Sequence, residues 1–120
     1  MDLIAAFKRR YSLEARRSIV NQVIKKYPDR VPIIVMKGDK RLPELPRPKY
    51  IVPRDITLSK FIYEIRKNMY LRPEQAIFLF VNNMLPPCNM MMGEIYDRWK
   101  DEDGLLYIIY SSENTFGVSR

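Results

Sequence analysis

Apolar side chains recur at helical spacing in some stretches of the chain and bunch into short β-branched runs in others, a pattern of mixed helices and strands. Ser12 offers an N-cap and Glu14 suits a first helical turn. Leu13, Val20, Val23, Ile24 and Tyr27 then share one face until Pro28 halts the run, predicting a helix over about 13–26. Ahead of it, Leu3, Ile4 and Phe7 make either one more short amphipathic helix, ending near Arg9 and Arg10, or a frayed terminus. Ile33, Ile34, Val35 and Met36, after Pro32, read as a strand, as do Tyr50, Ile51 and Val52 before Pro53. Their connection, 38–49, carries Pro43, Pro46 and Pro48, which exclude a helix and stiffen a long hairpin.

Thr57 is a second N-cap, and Leu58, Phe61, Ile62, Ile65 and Met69 recur at the helical period until Pro73. The continuous apolar run 77–81 reads as an interior strand, covered on both faces or flanked by sheet on both sides, and Asn82 with Asn83 turns the chain after it. Met92, Ile95, Tyr96 and Trp99 give a short helical stripe. It is closed by the polar turn 101–104, in which Gly104 suits a left-handed backbone. The segment 105–110 is the last strand. A hairpin, a crossover helix and returning strands predict one mixed sheet with a helix on one face, an α+β roll.

Composition narrows the possibilities. The 120 residues fit one domain with one core, and 47% apolar with 12% aromatic residues are the proportions of a globular chain. Lys and Arg outnumber Asp and Glu by 21 to 14, a net charge of +7 that favours nucleic acid, anionic membrane or acidic peptide partners, or makes a solvated basic surface. The chain has no histidine, which removes the commonest general base and argues against a hydrolase triad. Cys88 is the single cysteine, so neither a disulfide framework nor a zinc set is expected, and a small structural thiol in a reducing compartment is. Four ungrouped glycines make no phosphate loop. Asp101, Glu102 and Asp103 lack the spacing of a calcium loop and read as an exposed turn, and Met90, Met91 and Met92 read as helix start and core filler. No segment has the pattern of a secretory signal or of a membrane span, so a soluble protein is expected. No cofactor is expected.

Two features remain as candidate chemistry. One is the tail, 111–120, which runs through polar residues to Phe116 and Gly117 and is either functional or an incidental mobile end. The other is the strand at 50–53, preceded by Arg47 and Lys49. At a sheet edge it would accept an extended peptide, and the basic residues would favour acidic neighbours on that peptide.

The strings Lys49-Tyr50-Ile51-Val52-Pro53, Phe61-Ile62-Tyr63, Ile65-Arg66-Lys67 and Ala76-Ile77-Phe78-Leu79-Phe80-Val81-Asn82 occur in order. Leu85-Pro86-Pro87, Lys100-Asp101-Glu102-Asp103-Gly104 and Glu113-Asn114-Thr115-Phe116-Gly117 follow them. From about Phe7 to Gly117 the chain thus resembles the autophagy-related protein eight family, which includes the GABA-receptor-associated protein and the microtubule-associated light chain type. The resemblance implies a ubiquitin-like β-grasp fold, a four-stranded mixed sheet with a packed helix, carrying two extra N-terminal helices. It divides the single domain into a helical extension at 1–27, a ubiquitin-like core at 28–112 and a flexible tail with a processing site at 113–120.

The resemblance also implies a function. A cysteine protease would cut between Gly117 and Val118, beside the apolar Phe116, releasing Val118, Ser119 and Arg120. Activating and conjugating enzymes would then join Gly117 to phosphatidylethanolamine, leaving the protein a substrate and not an enzyme, cytoplasmic and, once lipidated, on the autophagosome membrane. Motif-bearing cargo receptors would add a strand. Their aromatic residue would enter a first pocket from Val23, Pro32, Ile34, Lys49, Ile51 and Leu105, and an aliphatic residue three positions on a second from Tyr50, Val52, Pro53, Ile56 and Phe61. Nucleic acid is not an expected partner. Departures from the family pattern fall at Ile19, Glu64 and Leu105 around the pockets, at Trp99, at Ser112, where glycine is common, and in a Pro-rich connection one residue shorter than usual. A non-covalent cytoskeletal or trafficking adaptor of the same fold is the alternative.

Overall fold

Among the described residues, three of the four helices begin where a short polar side chain can take an orphan backbone amide. Asp2 accepts from the Ala5 amide at 3.1 Å to start α1 (Leu3–Arg10), and Ser12 accepts from Ala15 at 3.1 Å to start α2 (Leu13–Lys26). Thr57 accepts from Lys60 at 3.1 Å to start α3 (Leu58–Met69). The fourth, α4 (Met92–Trp99), has no side-chain cap. Its first amides go to the chain before α3: Met92 donates to the Ile56 carbonyl at 2.8 Å and Gly93 to that of Arg54 at 2.9 Å. The start of α4 is thereby tied to the turn after the second strand. The computed structural model describes residues 2–114.

Between the helices lie β1 (Arg30–Lys37), β2 (Lys49–Pro53), β3 (Phe78–Phe80) and β4 (Leu106–Ser111). They form one mixed sheet in the order β2-β1-β4-β3, with β1 parallel to β4 and the outer pairs antiparallel. Element order and sheet type match the roll predicted from the sequence, and the first helix forms. The strand at 77–81 is not flanked by sheet on both sides: β3 is an edge. Its run is apolar because both faces are covered, with Leu79 in the main core and Phe80, pointing the other way, 4% exposed. After it Asn82 and Asn83, both at positive φ, close the turn between Val81 and Met84.

Strand alternation sends side chains to two different cores. On one face Val31, Ile33 and Val35 of β1 and Leu106, Ile108 and Tyr110 of β4 meet Leu58, Phe61, Ile65 and Met69 of α3 and Ile95 of α4. On the other, Ile34, Leu105 and Tyr107 meet Val20 of α2, with Ile4 and Phe7 of α1 packed against them. Of the stripe predicted on α2, only Val20 and Val23 are buried, while Leu13 and Ile24 face solvent. Arg16 takes the remaining buried position.

Candidate functional site

Residues called for both expected pockets lie on the edge strand β2. Its register with β1 pairs Pro32 with Ile51 and Ile34 with Lys49, which places these four on the face covered by α2. Tyr50 and Val52 point to the opposite face, against α3, where the Tyr50 and Phe61 rings meet edge-on with centroids 5.8 Å apart. Asn68 of α3 donates to the Tyr50 hydroxyl at 3.4 Å. The residues called for the first and second pockets thus alternate from Lys49 to Val52, whereas Pro53, called for the second, ends the strand at the parity of Lys49 and Ile51. Of the rest, Val23 lies buried on α2, Pro53 is half-buried at the end of β2, Ile56 is half-buried just after it, and Phe61 is 1% exposed. Leu105 is fully buried in the second core, so it forms floor and not wall.

The phase of the hydrogen-bond ladder leaves β2 open. Val35 donates to the Pro48 carbonyl at 2.8 Å and Arg54 to that of Asp29 at 3.0 Å. Because bonded and non-bonded pairs alternate in an antiparallel ladder, Tyr50 and Val52 bond inward to β1 while the backbone groups of Lys49 and Ile51 point outward. An added strand would pair with them. Two of its side chains three positions apart would face opposite sides of the sheet, since their separation is odd. Lys49 is exposed and, among the described residues, has no ion-pair partner.

The wall that α2 gives to this groove rests on a polar anchor. Arg16 donates to Asp103 Oδ2 at 2.7 Å, Tyr107 donates its hydroxyl to the same oxygen at 2.5 Å, and the Leu105 amide donates to Oδ1 at 2.8 Å. Arg16 Nε takes the Tyr11 carbonyl at 2.9 Å. The bond to Asp103 holds the Arg16 proton more tightly, and burial followed by the Asp103 acceptor pushes the Tyr107 phenol above its ordinary value. Lys8 of α1 donates to Asp101 at 2.6 Å. Burial opposes the Asp101 charge, but Lys8 and the Asp103 amide outweigh it and keep that carboxyl below its usual range. The expected exposed turn is therefore only partly so: Asp103 is 2% exposed and fastens the N-terminal helices to the sheet. Gly104, at φ +90°, lets Val20 come so close that a Cβ there would lie 2.8 Å from Val20 Cγ1.

The sequence reading missed this anchor. A signal existed: Arg16, Val20, Val23 and Tyr27 fall on one stripe of α2, and a cation in a buried stripe calls for a carboxylate. Phe116, Gly117 and Val118 lie outside the described residues. Among the described residues no group of three His, Cys, Asp or Glu side chains is placed to hold a metal. No helix there is long and apolar enough to cross a membrane.

A four-stranded mixed sheet in this order, with α3 packed on one face, defines a ubiquitin-like protein. The family model described as "Autophagy protein Atg8 ubiquitin like" matches residues 15–117. Autophagy-related protein 8d of Arabidopsis thaliana is 48% identical over 116 residues, covering 96% of this chain and 97% of that protein. Autophagy-related protein 8 of Dictyostelium discoideum is 49% identical over 116 residues, covering 95% of each. The crystal structure of Trypanosoma brucei ATG8 superposes with a TM-score of 0.84 at 40% identity, over 92% of this chain and 97% of that one. Plasmodium falciparum Atg8, solved in complex with a Plasmodium falciparum Atg3 peptide, gives 0.83 at 31% identity, over 92% and 98%. The chain belongs to the Atg8 family of ubiquitin-like autophagy proteins.

Proposed function

We propose that this protein is a lipid-conjugated modifier of autophagy that recruits its partners along β2. In this reading residues 1–27 are a helical extension, 28–112 the ubiquitin-like core and 113–120 the tail that is processed. A cysteine protease hydrolyses the amide between Gly117 and Val118, consuming one water and leaving a carboxylate on Gly117. An activating enzyme adenylates that carboxylate with ATP, releasing pyrophosphate. An enzyme thiol displaces AMP, the thioester passes to a conjugating enzyme, and the phosphatidylethanolamine amine attacks it, forming an amide and releasing the thiol. The chain is substrate throughout and not an enzyme. The protein moves from cytoplasm to autophagosome membrane, where two acyl chains at ~0.8 kcal/mol per buried CH₂ hold it.

The observation that carries the recruiting half is the open edge of β2, with Lys49 and Ile51 turned to one face and Tyr50 and Val52 to the other. Cargo-receptor peptides with an aromatic and, three residues on, an aliphatic side chain suit that alternation, and Lys49 favours acidic residues beside them. The Plasmodium falciparum relative bound to an Atg3 peptide supports a conjugating enzyme among the partners.

The test is digestion of the full chain with the cognate protease, read by mass. Loss of Val118, Ser119 and Arg120 is expected, with Gly117→Ala resisting the cut, and an uncut wild type would overturn the proposal. In titration, Lys49→Glu is expected to weaken acidic-flanked motif peptides by roughly tenfold. Unchanged affinity removes Lys49 from the groove. A non-covalent cytoskeletal or trafficking adaptor draws on exposed Arg9, Arg10, Arg17, Lys25 and Lys26 of α1 and α2. Partners that still bind in cells where no lipidated form is found would favour that reading.

A further inference from the structure

The last described residues do not simply trail off the sheet. The ladder between β3 and β4 ends at Ser111, but Ser112 is gripped beyond it. Its amide donates to Asp39 Oδ2 at 3.1 Å and its hydroxyl donates to the same oxygen. Asp39 lies 73 residues away, at the start of the Pro-rich connection between β1 and β2. It is itself held: Arg41 donates to it from its backbone amide, from Nε and from Nη2, each at 3.0 Å. The same Arg41 Nη2 reaches Glu113 Oε1 at 2.9 Å, so two consecutive tail residues are tied to one short turn.

That turn is fixed to the fold on both sides. Gly38 donates to the Tyr110 carbonyl at 2.8 Å, and the Tyr110 hydroxyl returns to the Pro43 carbonyl at 3.0 Å. Leu42, whose amide donates to the Asp39 carbonyl at 3.2 Å, is buried in the main core. The Asp39 side chain is only 7% exposed, and the Arg41 guanidinium, then Ser112, hold its carboxyl well below the usual range. A carboxylate placed on a packed turn, with a cation on one side and a hydroxyl and an amide on the other, is a built receptor for one serine of the same chain.

We propose that Asp39, braced by Arg41, is a positioning residue for the tail: by gripping Ser112 it sets the point from which the segment carrying Gly117 leaves the fold. This inference rests on the processing and conjugation reading above. With Glu113 held as well, Gly117 is four residue steps beyond the anchor, a reach of at most about 14 Å. Release back to Ser111 makes it six residues and about 21 Å, and adds conformations that a processing enzyme must freeze before it can cut. The clasp removes part of that freezing in advance, so it acts on substrate capture and not on bond breaking.

The experiment compares full-length wild type, Asp39→Ala and Ser112→Ala in two measurements: amide hydrogen exchange at Ser112 and Glu113, and steady-state cleavage after Gly117 by the processing protease. Exchange at the Ser112 amide is expected to rise in Asp39→Ala, which removes its acceptor, and to rise less in Ser112→Ala, which keeps it. Exchange at the Glu113 amide, which donates to Ser111 Oγ at 3.1 Å, is expected to rise only as far as the loosened tail frees it. For Asp39→Ala, kcat/KM is expected to fall roughly tenfold, the size of re-ordering about one residue's backbone, with the loss in KM and kcat nearly unchanged. Ser112→Ala, which keeps the amide contact, is expected to lose less. Because Ser112→Ala removes a single oxygen, it tests the clasp even if Asp39→Ala folds poorly. A wild type cut after Gly117, with both variants cut at the same kcat/KM, overturns the clasp and leaves the modifier reading standing. Exchange unchanged in both variants overturns it as well. A wild type that is not cut sinks the modifier reading, and with it the role given to Asp39.

Discussion

The two faces of the sheet are held by different physics. On the α3 face, apolar side chains from four strands and two helices close on one another, and Phe61, Ile65, Ile95 and Leu106 are at most 1% exposed. Burial of this kind is worth about 1.5–3 kcal/mol per large side chain and depends on no one direction. On the α1 and α2 face the buried cluster among the described residues is Val20, Ile34, Leu105 and Tyr107. There the helices are fastened by directed contacts, Arg16 to Asp103 and Lys8 to Asp101. A core built from area tolerates small shifts, whereas a layer held by a few ionic bonds has a defined position and few ways to lose it. Because β2 offers residues to both faces, each half of the groove inherits the character of its own layer.

Truncating the first face is expected to cost most. Phe61→Ala should lower unfolding stability by about 4 kcal/mol in denaturant titration and remove the ring against which Tyr50 packs. On the second face Asp103→Ala should cost about 3 kcal/mol, since Arg16, the Tyr107 hydroxyl and the Leu105 amide all lose their acceptor while buried. Pairing it with Arg16→Met should return much of that loss, because no unpaired charge is then left buried. The smallest effect belongs to Lys8→Ala, below about 1 kcal/mol and shrinking as salt is raised, since this pair is partly exposed. If Asp103→Ala cost no more than Lys8→Ala, the second face would be held by apolar packing like the first, and the contrast would fail.

Much of this architecture was readable in the chain. Ser12 and Thr57 stand where helix caps must, Pro28 and Pro73 follow the ends of helical stripes, and Asn82 with Asn83 turns the chain after β3. Those signals are local, and local backbone preferences act over a few residues whatever the rest of the fold does. The groove was legible only by halves. The apolar run before Pro53 marked a strand, but nothing in that segment says whether its outer edge is free.

Edges, anchors and clasps belong to the assembled molecule. Asp103 looked like part of a polar turn until α2 laid Arg16 upon it, 87 residues distant in the chain. Ser112 stood out only as a serine where glycine is usual, and Asp39 not at all, until β1 and β4 ran parallel and set their ends side by side. From its sequence alone this protein's elements and their order follow, because each is decided by neighbours within a turn or two. Which strand lies at the edge, which carboxylate is buried and where the tail is held were decided by tertiary structure, because a sheet's pairing brings together residues whose separation along the chain carries no local signal.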